Sequence, residues 1–175
     1  MKTNREVFEM YPFLRPRDST GHLVKYSNEE LEDEYFAEIP EGWYKLFFQM
    51  CDDIKLALEK KGLLDKFYFL QIKEKYNDLR CYHNGATEAV ESIINKYEHM
   101  ACHVCSICSK PAELETNGYI LSFCNDCWKN LATNESTQPI EFEPYFSIFT
   151  YEVGELVEKT ESFEDEWNRY LLKVT

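Results

Sequence analysis

The stretch Cys102-His103-Val104-Cys105-Ser106-Ile107-Cys108, followed after fifteen residues by Cys124-Asn125-Asp126-Cys127, holds five of the chain's seven cysteines within 26 positions. A Cys-x-x-Cys hook turns tightly enough to offer two thiolates to one ion, and a short hairpin between two hooks brings the second back beside the first. The intervening residues fit that hairpin. Ala112-Glu113-Leu114-Glu115 and Tyr119-Ile120-Leu121-Ser122-Phe123 read as strands, and Asn117-Gly118 is a strong hairpin-turn dipeptide. The pattern is that of a zinc ribbon. Four thiolates close the coordination sphere of one Zn²⁺, so the expected role of the metal is structural.

The fifth cysteine leaves the ligand set open. Cys105, Cys108, Cys124 and Cys127 are favoured, because Ser109-Lys110-Pro111-Ala112 gives the first hook a small-residue exit. Cys102 fits better on the last turn of the preceding helix, but it is the main rival to Cys108. His99 and His103 stand close enough to compete or to support the ligands. With four thiolates at hand, they read as ordinary helix-end histidines.

Upstream of the ribbon, two helical patterns flank a hairpin. Over 40–61, Trp43, Leu46, Phe47, Met50, Ile54, Ala57 and Leu58 recur at helical spacing and form one apolar stripe. Pro40 suits the first turn, Lys60 and Lys61 the last, and Gly62 a left-handed stop. Met50 and Cys51 read as core filler. Residues 66–75 are aromatic and β-branched enough for a strand, Tyr76-Asn77-Asp78 for a turn, and 79–83 for the returning strand, closed by Asn84-Gly85. Alternation puts Gln71, Lys73 and Lys75 on one face and Leu70, Ile72 and Tyr76 mainly on the other. A second helix over 86–101 carries Val90, Ile93, Ile94, Tyr97 and Met100 on one stripe and feeds directly into the first hook.

The flanks are less regular. Residues 1–40 read as loop-rich around Tyr11-Pro12-Phe13-Leu14-Arg15-Pro16, with a short helix opened by the capping box of Ser27 and Glu30 and running through Leu31 and Tyr35. Its scattered aromatics predict an arm packed along the domain. After the ribbon, 130–138 reads as a polar connection and Ile140-Glu141-Phe142-Glu143 alternates. Residues 145–153 are apolar on both faces, as in a central or covered strand with an edge or bulge at Pro144. Ser162-Phe163-Glu164-Asp165 opens a last helix with Trp167, Tyr170 and Leu171 on its buried side. This order predicts an α+β fold: a helix–β-hairpin–helix core, an inserted zinc ribbon over 102–130, and a C-terminal strand and helix. Residues 1–101 and 131–175 form one domain.

Net charge is −13, spread as −5 over residues 1–42, −7 over 131–175, −1 in the ribbon and zero between. Counterion release from nucleic acid needs a basic surplus that this chain lacks, so a nucleic-acid partner is disfavoured. Acidic flanks suit instead a protein partner with a basic surface. No apolar run approaches the ~18 residues of a membrane span, and Met1-Lys2-Thr3-Asn4-Arg5-Glu6 leads into no signal-peptide core. Cysteines without a secretion signal point to a reducing cytoplasm.

Gln71, Lys73 and Lys75, with Arg80 on the neighbouring strand, make the compact basic feature of an acidic chain. Such a row can hold a phosphate or carboxylate, with Arg80 giving planar bidentate contacts and the lysines point charge. The competing reading is a solvated strand face paired with Glu74, Asp78 or the acidic tail. Cys81 and His83 are two apart on a strand, ~6–7 Å and beyond hydrogen-bond reach. No Gly-rich phosphate loop, nucleophile elbow or HExxH is present. The expectation is a non-enzymatic, zinc-binding protein-interaction module. The alternative is nucleic-acid or phosphorylated small-ligand binding on the Lys73/Lys75/Arg80 face.

Taken together, Pro40-Glu41-Gly42-Trp43, Gln71-Ile72-Lys73-Glu74-Lys75-Tyr76, Leu79-Arg80-Cys81-Tyr82 and the two cysteine hooks resemble a widespread set of small, uncharacterised bacterial and phage-encoded proteins. Those run from a P-x-G-W helix start through a Q-x-K-E-K-[FY]-G-x-L-R-[FY]-Y hairpin into a C-x-x-C ribbon. The resemblance covers residues 40–127. The chain departs from it with Asn77 where Gly is frequent, Cys81 where an aromatic is common, and a long acidic tail. It implies a bacterial or phage setting, where small acidic proteins often bind other proteins and so inhibit or modulate a host machine. It transfers no activity.

Overall fold

The computed structural model describes residues 2–131, 136–140, 145–152, 155–162, 165 and 167–169, with the backbone alone for 145–152 and 155–162. The fold is α+β. Its first half runs α1 (Asn4–Met10), α2 (Asn28–Glu32), α3 (Tyr44–Glu59), β1 (Tyr68–Lys75), β2 (Asp78–Asn84) and α4 (Glu88–Ala101). The second half runs β3 (Leu114–Thr116), β4 (Ser122–Phe123), α5 (Asn125–Asn130), β5 (Thr137–Pro139), β6 (Tyr145–Glu152) and β7 (Glu155–Ser162). Pro12–Leu14 and Glu41–Trp43 are single 3-10 turns.

The core lies where the two predicted apolar stripes meet. Trp43, Leu46, Phe47, Met50, Cys51 and Ile54 of the first are fully buried, and α3 packs on α4 through Val90, Ile94, Tyr97 and Met100. Phe67, Phe69, Leu79 and Cys81 close the core from the hairpin side. Each such side chain contributes on the order of 1.5–3 kcal/mol of burial, which outweighs the ends of the elements in setting the fold. Two tyrosines span the packing seams: Tyr11 Oη donates to Asp52 at 2.8 Å and Tyr97 Oη to Asp53 at 2.7 Å.

The N-terminal arm is more ordered than its loop-like reading. Thr3 and Glu6 form a capping box, the Glu6 amide donating to Thr3 Oγ1 at 3.3 Å and the Thr3 amide to Glu6 Oε2 at 2.8 Å. The helix so opened buries Val7 and Phe8. Ser27 opens α2 as expected, but that helix stops at Glu32. Tyr35 lies beyond it and stacks on Phe47 with ring centroids 6.3 Å apart. Phe13 packs edge-on to Phe67 at 5.5 Å, so the arm does lie along the domain.

The β1–β2 hairpin corrects the simple alternation. A bulge between Phe69 and Gln71 interrupts the register and leaves Leu70 60% exposed. Tyr76 and Asn77 have φ of 56° and 65°, the two central residues of a primed two-residue turn, and β2 starts at Asp78. Tyr76 therefore projects outward, 71% exposed, while Asn77 is buried.

Downstream, the second cysteine hook carries α5, and β5 begins within the stretch 130–138 expected to be a polar connection. The ribbon is a three-stranded sheet in the order β4-β3-β5. The single C-terminal strand expected over 145–153 is one arm of an antiparallel hairpin, β6 with β7, and β6 lies against α4. Asp165 and residues 167–169 are helical, and Trp167 is buried in the main core. The expectations for 141–144, Tyr170 and Leu171 lie outside the described residues. Among the described residues no helix is long and apolar enough to cross a membrane.

Candidate metal centre

Helix α4 ends at Cys102, and the chain then folds back so that Val104 bridges Pro111. Inside that loop the Cys105 amide donates to Lys110 O at 2.8 Å and the Ser109 amide to Cys105 O at 3.3 Å. Ser109 takes φ 64° to complete the turn. This knuckle points Cys105 and Cys108 the same way. The second hook is built differently. Cys124 is the N-cap of α5, its Sγ accepting from the Cys127 amide at 3.4 Å, and Cys127 sits in the first turn.

The four Sγ atoms of Cys105, Cys108, Cys124 and Cys127 all lie within 4.8 Å of one another. Cys108 and Cys124 are 3.6 Å apart. A disulfide would need about 2.05 Å, whereas four sulfurs at ~2.3 Å from a tetrahedral ion stand about 3.8 Å from each other. The observed packing matches the second geometry. Charge leads to the same conclusion. Burial raises the Cys105 thiol, but amides of Cys124, Ile107 and Cys108 aimed at its sulfur outweigh that and hold it below its ordinary value. Cys108 is pushed up, by burial first and then by the thiols of Cys124 and Cys105. Neighbouring sulfurs thus oppose the ionisation of Cys108, an opposition that a bound divalent cation would remove. The cluster can hold a metal ion.

Cys102 stands outside the cluster, its Sγ donating to His99 O at 3.2 Å. His99 and His103 have ring centroids 5.8 Å apart and line a cleft of ≈ 620 Å³ with Asn77 and Cys102. Burial, then the neighbouring His99, brings His103 down to about 4.

Two contacts that the residue patterns did not announce tie the ribbon to the core. The Gly42 amide donates to Ser106 O at 2.9 Å and Trp43 Nε1 to Val104 O at 3.0 Å, so the start of α3 abuts the first knuckle. A Cβ on Gly42 would fall 2.1 Å from Cys105 O, which explains the glycine. On the other side the hairpin turn plugs into the ribbon. Asn77 Nδ2 donates to Ser122 Oγ at 2.6 Å, and Tyr119 Oη to Glu74 Oε2 at 2.6 Å. The Pro-x-Gly-Trp run and a buried Asn in a primed turn were the available signals.

The basic row is only partly assembled. Lys73 faces Arg80 across the ladder, Gln71 faces Tyr82, and Lys75 faces Asp78. Lys73 Nζ donates to Gln71 Oε1 at 3.0 Å, and Arg80 forms an ion pair with Asp78. Lys75 and Arg80 line one cleft of ≈ 370 Å³ together with Glu98. Local partners thus meet much of the charge. Comparison of the chain with protein-family models, curated proteins and solved structures finds no match.

Proposed function

We propose that the chain is a protein-interaction module built around one structural Zn²⁺. The observation that carries this reading is the group of four cysteine sulfurs within 4.8 Å, on a ribbon anchored to the core at two points. Cys105, Cys108, Cys124 and Cys127 would hold the ion. Four thiolates leave no open coordination position, so the metal crosslinks the ribbon and takes no part in a reaction. Glu113, Glu115 and Asp126 also outnumber the two basic residues of the ribbon, Lys110 and Lys129, so this face offers little to a phosphate backbone.

The partner is a protein with a basic surface, met by flanks of charge −5 and −7. The resemblance would make it part of a bacterial host machine that the chain inhibits or modulates. Affinity capture on the zinc-loaded full chain tests this. A stoichiometric protein partner that elutes as salt rises supports it. No stable partner, together with turnover of a nucleotide or peptide substrate, overturns it.

A second reading rests on Lys73 facing Arg80 and on the cleft that Lys75 and Arg80 share. These groups would bind a phosphorylated small ligand or nucleic acid. Glu98 in the same cleft and Asp78 on Arg80 weigh against it. Binding of a labelled oligonucleotide should fall steeply with salt and further in Arg80→Ala. Indifference to both removes the second reading.

A further inference from the structure

Ten large apolar side chains are exposed on the described surface, and four of them, Phe36, Ile107, Tyr119 and Leu131, line one groove of ≈ 420 Å³. The groove runs between the segment leading into α3 and the ribbon. Half-buried Leu121 extends its apolar wall. Singly scattered apolar residues need no explanation, but a contiguous group beside polar rims marks a contact surface.

Charge defines what the groove accepts. The rim is acidic: Glu38 and Glu74 line the groove and none of the residues lining it is basic. Glu74 accepts from the Asn77 amide at 2.7 Å and from Tyr119 Oη at 2.6 Å. Both donors are neutral, so they fix the carboxylate without cancelling its charge. An apolar trough edged by carboxylates repels phosphate and anionic lipid, and it complements an apolar side chain beside a cation.

We propose that this groove docks an extended protein segment carrying an aliphatic or aromatic anchor beside Lys or Arg. The anchor seats among Phe36, Ile107, Tyr119 and Leu131, and the cation meets Glu38 and Glu74. This deepens the interaction reading above and rests on it, because it names the face and the chemistry of the partner.

The test is selection of random dodecapeptides displayed on phage against the full zinc-loaded chain. Dissociation constants of the recovered peptides are then measured for wild type, Phe36→Asp, Glu38→Lys and, as a control outside the groove, Leu56→Asp. Recovered peptides should pair an apolar anchor with Lys or Arg. Phe36→Asp should weaken them at least about tenfold, the effect of losing one buried anchor. Glu38→Lys should weaken them more at low than at high salt, and Leu56→Asp should leave them unchanged, with zinc content equal in all variants. No enrichment, acid-rich peptides, or affinities that both groove variants leave within twofold overturn the proposal. A partner protein captured equally by wild type and by both groove variants would overturn the groove and spare the interaction reading. Capture of no protein, together with turnover of a nucleotide or peptide substrate, overturns that reading itself.

Discussion

Gly42→Ala puts one methyl group against the metal knuckle, and its consequence follows from three distances. The new Cβ would lie 2.1 Å from Cys105 O, 2.7 Å from Ser106 C and 2.8 Å from Ile107 N, where ordinary contact begins at 3.4 Å. All three neighbours are backbone, so no side chain can swing aside; the knuckle or the start of α3 must move by more than an ångström. Metal–ligand distances tolerate about 0.2 Å. If α3 moves instead, the bonds from the Gly42 amide to Ser106 O and from Trp43 Nε1 to Val104 O are lost. Overpacking at about 1–3 kcal/mol with two buried hydrogen bonds at about 1 kcal/mol each gives roughly 3–5 kcal/mol. For a chain of this size that lowers Tm by on the order of 10 °C. Borne wholly by the metal, it weakens zinc binding about a hundredfold or more. Thermal melts and competition for zinc with a chromophoric chelator read the two routes. Gly62→Ala is the control: φ is +65° but nothing stands within 4 Å, so it should cost about 1 kcal/mol and leave zinc affinity unchanged. If Gly42→Ala melts with wild type and competes for zinc equally well, the knuckle does not rest on α3 as described.

Other expectations follow from single contacts. Asn77→Ala should lose roughly 2–3 kcal/mol in urea unfolding, because it meets φ 65° without the amide that donates to Ser122. Asn77→Gly should lose less, and the reverse order would refute this account of the turn. Burial raises the Glu98 carboxyl above its ordinary value, so the folded state favours its protonated form. Its charging then destabilises the fold as pH rises through the carboxylate range, and the stability advantage of Glu98→Gln should open from pH 4 toward pH 7. A gap that narrows instead would reverse the sign. Cys51→Ser and Cys81→Ser, both buried in the main core, should keep one zinc per chain, whereas Cys124→Ser should lose it and aggregate.

The parts legible in the residue pattern were those in which one signal dominates. The stripes of α3 and α4 showed at 3.6-residue spacing because burial of Trp43, Leu46, Ile54, Val90 and Ile94 outweighs everything local. The four cysteines announced themselves by spacing, and their sulfurs are the ones brought together. Period alone could not reveal the bulge at Leu70, since one inserted residue inverts every later side chain while composition stays the same. Helix α1 was signalled by Thr3 and Glu6 but is short, and aromatic and proline residues follow it closely. Strand β5 is Thr137–Pro139, most of which reads as part of a polar connection; it is a strand because β3 offers it a free edge. The faces of the basic row were legible, but not the neighbours, Asp78 above all, that take up its charge.

The four-thiolate metal site is the claim on which the rest depends, and zinc K-edge X-ray absorption on the purified full chain tests it most directly. The account predicts one zinc per chain with four sulfur neighbours at about 2.3 Å. The spectrum should be unchanged in Cys102→Ser and lost in Cys108→Ser. A first shell containing nitrogen from His99 or His103, or a site that survives Cys108→Ser and disappears in Cys102→Ser, would contradict it.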